Sequence, residues 1–339
     1  MKSERSSGKR ETLSPAKILG PVYAFREARV LLTAFDLDLF SLIGSEQKSS
    51  EEVAALARTD PRATDRLLDA ICASGYLLKK NSKFSNTPLT LHFLVKGQPG
   101  YLGGLMHQVS LWNTWTTLTD AVRKGSSVAV HTTMSQHGVD WLEAFITAMH
   151  MRAISQAPAI VGLISLKGVS RILDVGGGSG VFSMAFVRAR KGITATVFDL
   201  PDVAKMAKEY IGNENLSHSI KVVEGDYAFD SLGSGFDIVF MSAVIHSNSP
   251  EMNQRLFRKA FEALNPGGRL VVLDYMMNAE RTSPTAGAYF SLNMLVGTHE
   301  GDTYTESEVR SWMEGAGFEK VRRTNTEFET DLVIGKRKN

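Results

Sequence analysis

Between Arg171 and Tyr275 the chain repeatedly changes its hydrophobic period. Five short apolar runs, RILDV, TATVFDL, IKVVEGD, FDIVFMSAVI and RLVVLDY, are separated by the helical patterns FSMAFVRAR, DVAKMAKEYIG and NQRLFRKAFEALNPGG. A strand apolar on both faces must be covered on both, and intervening helices supply that cover. The alternation predicts an α/β domain with a doubly wound, mostly parallel sheet.

The preceding residues read differently. PAKILGPVYAFREARVLLTAFDLDLFSLIG places Val30, Leu31, Ala34, Phe35, Leu39 and Leu42 at helical spacing. SSEEVAALARTD opens with Ser50 as the expected N-cap and acidic residues in its first turn. DPRATDRLLDAICASGYL is a second helix, broken by Gly75, and YLLKKNSKFSNT reads as a two-stranded wing turning at Asn81-Ser82. Helix, turn, helix and wing form a winged-helix pattern. Helical patterns continue through residues 100–160, in LWNTWTTLTDAVRKG and VDWLEAFITAMHMRAISQAP. The expected organisation is a disordered tail over 1–12, a mainly helical winged-helix-like domain over 13–160, and the α/β domain over 161–339.

Bulk properties narrow the function classes. A net charge of +2 offers no attraction to nucleic acid or an anionic membrane. DNA binding needs several phosphate contacts, and the second helix of the winged motif has few basic residues, Arg62 and Arg66 among them. One cysteine, Cys72, excludes an internal disulfide and fits a reducing compartment. No apolar stretch approaches the ~20 residues of a membrane span. The opening MKSERSSGKRET lacks the apolar core of a signal peptide, so a cytoplasmic location is expected. Histidines 92, 107, 131, 137, 150, 218, 246 and 299 are scattered without metal-site spacing, and no metal is expected.

The first strand runs into Asp174-Val-Gly-Gly-Gly-Ser-Gly180 and then a helix. Gly176, Gly178 and Gly180 let the backbone turn tightly and approach a ligand. The helix start offers free N–H groups. Asp199 ends the second strand, 23 residues after Gly176, where a carboxylate holds a ribose diol. The dinucleotide fingerprint G-x-G-x-x-G/A requires a small residue where Val181 stands, and fails. D-x-G-x-G-x-G matches in full, and it is the S-adenosylmethionine (SAM) pattern. Asp226, in Gly225-Asp226-Tyr227 after the third strand, either accepts from the adenine amino group or is a plain turn residue. In the fourth run, Phe240 to Ile245 ends on His246, followed by the turn residues Ser247, Asn248, Ser249 and Pro250. This histidine is either a solvated strand end or a base at the ligand crevice, which a parallel sheet opens at the carboxyl ends of its strands.

LDVGGGSG, VFDLP, EGDY, the AVIH strand end, ALNPGGRLVVLDY and YTESEVRSWMEGAGF together resemble the cation-independent small-molecule O-methyltransferases, the group of caffeate and acetylserotonin O-methyltransferases and bacterial natural-product enzymes. The resemblance covers nearly the whole chain, AFDLDLF in the N-terminal region included. It implies a Rossmann-like class I methyltransferase domain behind a winged-helix dimerisation and substrate-lid domain, and therefore a homodimer. It implies SAM binding by Asp174, Gly176, Gly178, Gly180, Asp199, Leu200, Asp226, Tyr227 and Ser242. It implies His246 as the base that deprotonates the acceptor hydroxyl, with Asp274 holding the imidazole tautomer. It places the acceptor between the domains, against Phe145, Met149, Met294 and Thr298, with Tyr289 and Phe290 near. On spacing alone, a helical stripe such as Phe145 and Met149 is more often core than pocket. The chain departs from the pattern where Ser247-Asn248 replaces Asp-Trp, Ser242 a lysine, and Thr303 a second carboxylate, with Glu300 and Asp302 close by.

The reading is a SAM-dependent methyltransferase acting on a hydroxyl of a small aromatic or polyketide-like molecule. C- or N-methylation is the alternative, and a SAM-binding dimeric regulator the reading outside enzymes.

Overall fold

The computed structural model describes residues 14–129 and 139–339. The tail expected over residues 1–12 lies outside these residues, as do His131 and His137. The chain divides into two compact units, one ending at Leu102 and the other running from Gly103 to Asn339.

The first unit contains α1 (Ala16–Asp36), α2 (Leu39–Ile43), β1 (Lys48–Ser49), α3 (Ser50–Ala57), α4 (Pro61–Ala73), β2 (Leu77–Lys80), β3 (Lys83–Asn86) and α5 (Pro88–Phe93). Its three strands pair antiparallel in the order β1-β3-β2. Asn81 (φ 50°) and Ser82 (φ 59°) turn the β2–β3 hairpin, both left-handed as a two-residue turn demands. The cap of α3 is Ser49, one residue before the expected Ser50. Its hydroxyl accepts from the Glu52 N–H while the Glu52 carboxylate accepts from the Ser49 N–H. This reciprocal pair needs a carboxylate three residues on, which Ser50 lacks. Ala34, Phe35 and Leu39 are buried, but the start of α1 leaves Ile18, Val22, Tyr23 and Phe25 exposed.

The second unit begins with α6 (Leu105–Trp115), α7 (Leu118–Lys124), α8 (Val139–Ile154) and α9 (Ala157–Gly162). The sequence assigned these helices to the first domain. They group with the sheet instead, and α9 shows one reason: Ala157, Ile160 and Val161, with Ile164 just beyond, join one buried cluster with Phe186 and Phe240. Then come β4 (Arg171–Val175), α10 (Val181–Ala189), β5 (Thr194–Asp199), α11 (Pro201–Asn213), β6 (Ile220–Glu224), β7 (Phe236–Ser242), α12 (Pro250–Ala263) and β8 (Leu264–Asp274). The chain closes with β9 (Met276–Met277), α13 (Thr285–Gly297), β10 (Tyr304–Thr305), α14 (Glu306–Gly315), β11 (Phe318–Thr324) and β12 (Asp331–Arg337).

Seven strands form the central sheet in the order β11-β12-β8-β7-β4-β5-β6. The five from β8 to β6 are parallel, and β12 and β11 add an antiparallel edge. The chain steps outward from β4 to β5 and β6, then returns to lay β7 on the other side of β4. The order reverses between β4 and β7, and such a reversal opens a crevice at the strands' carboxyl ends. Buried residues pack on both faces, Leu173, Val239 and Val272 on one and Ile172, Ile238 and Val271 on the other.

Candidate active site

At the end of β4 the backbone itself builds a receptacle. The Gly176 N–H donates to the Phe198 carbonyl at 2.8 Å, which pins the loop to β5. Gly176 has φ 64°, and a Cβ there would stand 2.8 Å from Val244. Gly178 (φ 55°) is the opposite case: a Cβ would meet only the Ile146 side chain, at 4.0 Å. That position opens into free space, and filling it removes room beside the loop. Gly180, also left-handed, leads into α10.

Asp199 stands at the end of β5. Its Oδ2 accepts from the Gly178 N–H and its Oδ1 from the Leu200 N–H, both at 2.8 Å. Burial pushes its carboxyl up to about 6 against those two donors. Asp174 lies beneath the loop, fully enclosed, and accepts from the Ser183 hydroxyl at 2.8 Å. Burial, with Asp199 nearby, raises it to about 7. A carboxylate at a strand end, a helix start and an open glycine together suit the hydroxyls of a ribose and a methionine moiety. The residues present therefore fit SAM.

Asp226 is bound up in its own turn. Its Oδ1 accepts from the Ala228 N–H, and its N–H donates to Asp230, each at 2.8 Å. Tyr227 sends its hydroxyl 3.0 Å to Asn248 Oδ1, and burial raises it to about 12. Ser242 is the last residue of β7 and half-buried.

Beyond Ser242, Ala243 takes φ 56°, a left-handed conformation costing an L-residue roughly 1–2 kcal/mol. The chain then enters a short 3₁₀ turn, Ile245–Ser247, which presents His246. His246 Nδ1 lies 2.8 and 3.0 Å from the two carboxylate oxygens of Asp274, at the end of the neighbouring strand β8. Both side chains are buried, 8% and 1% exposed, which keeps water from competing for this bond. An ionised carboxylate only accepts, so Nδ1 carries a proton, and in the neutral imidazole the lone pair is then on Nε2. The imidazole meets Phe290 edge to face at 4.7 Å, and Phe290 stacks on Tyr275 at 4.6 Å. Thr303 is buried, and its hydroxyl donates to the Gly287 carbonyl at 3.3 Å. The Asp302 carboxylate accepts from the Thr303 N–H and pairs with Arg281, while Glu300 is exposed.

Helix α8 lies along the glycine loop. Ile146 faces Gly178, and His150 Nδ1 is 2.8 Å from the Ser179 hydroxyl, its ring over Tyr210. Burial lowers the His150 pKa. Phe145 stacks on Trp141 at 5.2 Å and meets His107 edge-on. Met149 is half-buried. On α13, Met294 is buried and Thr298 caps the helix end through the Met294 carbonyl, whereas Tyr289 is 64% exposed. The sequence reading did not single out Ile146 or Tyr275, nor assign a role to His150 or Asn248. Ile146, His150 and Tyr275 each follow a singled-out residue, Phe145, Met149 and Asp274, by one position, which is the signal available for them. Among the described residues no three His, Cys, Asp or Glu side chains gather as a metal site, and no helix is long and apolar enough to cross a membrane.

Two family models match this chain: the O-methyltransferase domain over residues 115–319 and the O-methyltransferase dimerisation domain over residues 22–96. The 3-hydroxy-5-methyl-1-naphthoate 3-O-methyltransferase of Streptomyces sahachiroi is 29% identical over 87% of each chain. The N,N-dimethyltransferase OxyT of Streptomyces rimosus is 30% identical over 88% of this chain and 89% of its own. Among solved structures, PigF with S-adenosylhomocysteine, a Serratia protein, superposes with a TM-score of 0.86 at 25% identity, over 96% of this chain and 100% of its own. With the glycine loop, the strand-end carboxylates and both family domains in place, the chain belongs to the O-methyltransferase family and is a SAM-dependent O-methyltransferase of the class I fold, with an N-terminal dimerisation domain.

Proposed function

We propose that this enzyme methylates a hydroxyl of a flat aromatic or polyketide-like molecule, with His246 as general base and Asp274 as its support. The His246–Asp274 contact carries this reading. SAM supplies the methyl group when bound. Gly176, Gly178, Gly180, Asp199 and Leu200 form its receptacle, with Asp174 beneath, and Asp226, Tyr227 and Ser242 complete that side. His246 Nε2 accepts the acceptor's proton as its oxygen becomes nucleophilic. Asp274 keeps the other ring proton on Nδ1 and stabilises the imidazolium that forms. Phe145, Met149, Phe290 and Met294 offer aromatic and thioether surface to a planar acceptor, with Tyr289 and Thr298 at the margin. The naphthoate named for the Streptomyces sahachiroi relative is such an acceptor, while the name of OxyT favours an amine as the second reading.

The test is methyl transfer from radiolabelled SAM to a panel of hydroxylated naphthoates, anthraquinone phenols and aromatic amines. Turnover confined to hydroxyl acceptors supports this reading, and turnover confined to amines overturns it. The enzyme works as a homodimer built on its first unit, supported by the dimerisation-domain match and the exposed apolar residues of α1. Light scattering at micromolar concentration is expected to give twice the 37.1 kDa chain. A monomer unchanged on dilution excludes this.

A further inference from the structure

The turn that presents His246 is held by its carbonyl groups. The Ile245 carbonyl accepts from Asn253 Nδ2 at 2.8 Å, and the His246 carbonyl from the Asp302 N–H at 2.9 Å. The Asn248 carbonyl accepts from the Tyr304 hydroxyl. The Asn248 side chain closes this set from within. Its Nδ2 donates to Asn253 Oδ1 at 3.1 Å and, at 3.5 Å, toward the Val244 carbonyl. Its Oδ1 accepts from the Tyr227 hydroxyl at 3.0 Å. Asn248 is 9% exposed and Asn253 fully buried. An amide enclosed in this way has little water to turn to, so each bond it loses is costly and each it keeps fixes a geometry. Tyr227 is itself anchored, its carbonyl accepting from Lys259 Nζ at 2.6 Å.

We propose that Asn248 is a positioning residue for methyl transfer: it locks the turn carrying His246 and joins that turn to Tyr227 on the cofactor side of the crevice. The Asp274 bond fixes how the imidazole is rotated. It does not fix where the residue's backbone stands, and that sets the place of Nε2. Ser247, between the two, is exposed, so the polar cluster on the inner side is what restrains the turn. A displacement of ~1 Å at a reacting atom costs as much as ~10²-fold in rate. This inference rests on His246 being the base.

The experiment is ¹⁵N-histidine NMR of the full chain with S-adenosylhomocysteine as the probe ligand, His246 being assigned by the signals lost in His246→Ala. In the wild type a single tautomer with its proton on Nδ1 is expected. Asn248→Ala is expected to broaden the His246 signals or mix its tautomers, with S-adenosylhomocysteine affinity within about twofold and kcat lowered roughly tenfold. Tyr227→Phe, which removes one hydroxyl and keeps the ring, is expected to disturb the His246 signals in the same way, more weakly. Asn86→Ala is the control, because Asn86 is an amide bound to the Phe40 and Gly44 carbonyls in the first unit. It is expected to lower Tm and leave His246 unmoved. Unchanged His246 signals in a folded Asn248→Ala overturn the proposal, and so does an equal disturbance by Asn86→Ala. If Asn248→Ala does not fold, unchanged signals in Tyr227→Phe overturn it instead. Wild-type methyl transfer by His246→Ala removes the base reading, whereas the imidazole signals decide the positioning itself.

Discussion

At the carboxyl edge of the sheet, the β4–β5 side and the β7–β8 side are made of different materials. Between β4 and β5, the groups facing the crevice are largely backbone: left-handed glycines, the Gly178 N–H on Asp199, and the start of α10. Between β7 and β8 they are side chains, His246 against Asp274 with Phe290 and Tyr275 stacked beside them. A backbone receptacle admits one residue type at its tight points and tolerates wide variation elsewhere. A side-chain device depends on partners distant in sequence, and each partner has a rotamer that its own neighbours must hold. On the proposed function the first kind of site binds and the second kind moves a proton, so changes to the two halves should have separable signatures.

The largest expected effect tests the side-chain half. His246→Ala should lower methyl transfer to a weakly acidic hydroxyl by ~10²–10⁴-fold while leaving SAM affinity almost unchanged. Asp274→Asn keeps the shape, loses the charge and permits the wrong tautomer, so a smaller loss in the same direction is expected. Steady-state kinetics with parallel calorimetric titration of SAM separates rate from binding. An acidic phenol ionises without help and is the wrong acceptor for this measurement. If His246→Ala retains the wild-type rate on a weakly acidic one, the base lies elsewhere and the two halves do not divide as described.

Substitutions in the backbone half should show the reverse signature. Gly178→Val adds a β-branched side chain at φ 55° and fills the open space beneath Ile146. Asp199→Ala removes the acceptor for the Gly178 and Leu200 N–H groups and, on the proposed function, for the ribose. Each is expected to weaken SAM binding roughly 10–100-fold, the equivalent of losing a charged hydrogen bond or incurring left-handed strain plus lost volume. The His246 tautomer should remain as it is in the wild type. Calorimetry and ¹⁵N-histidine spectra on the same samples check both. SAM affinity equal to wild type in both variants would mean that the receptacle is elsewhere.

The same division explains what was legible in the sequence. The glycine loop stood out because its conformation needs glycine at fixed offsets, and Asp199 because a parallel strand must end near it. His246 was visible as a polar residue closing an apolar run. The sheet and its helical cover followed from alternating period alone. The attachment of α6–α9 did not, because a helix with an apolar stripe does not state which surface the stripe meets. The cap of α3 shifted by one residue because SS offers two candidates and only the reciprocal Glu52 bond chooses between them. Asn248 was read as turn chemistry, which it is by position. Its contacts with Tyr227 and Asn253 come from folding and leave no local pattern. Thr303 stands where a carboxylate was expected, and Asp302 is held by Arg281, so the imidazole rests on Asp274 and its own turn.

The smallest effect concerns the loop's buried carboxylates and is thermodynamic. Asp174 has an ordinary carboxylate range when unfolded and is held near 7 in the fold, chiefly by burial. Between those values the folded chain keeps a proton that the unfolded chain releases. Stability therefore falls as pH rises from the ordinary range to about 7, and is level above it. Asp199, raised to about 6, acts in the same direction over the lower part of that window. The Ser183 hydroxyl at 2.8 Å favours the ionised form of Asp174 and offsets part of the effect. For the enzyme without SAM, Tm is expected to drop by several degrees between pH 5 and pH 8, at roughly 2 °C per kcal/mol for a chain of this size. Asp174→Asn keeps an acceptor for Ser183 and carries no titrating proton, so its Tm should decline less and exceed the wild type's at pH 8. Adding SAM should reduce the wild-type decline, since a cationic ligand favours the ionised carboxylates. A wild-type Tm that is level from pH 5 to pH 8 would mean that Asp174 is already ionised in the folded protein. The backbone half would then hold two charges under its loop, and SAM affinity should be insensitive to pH across the same range.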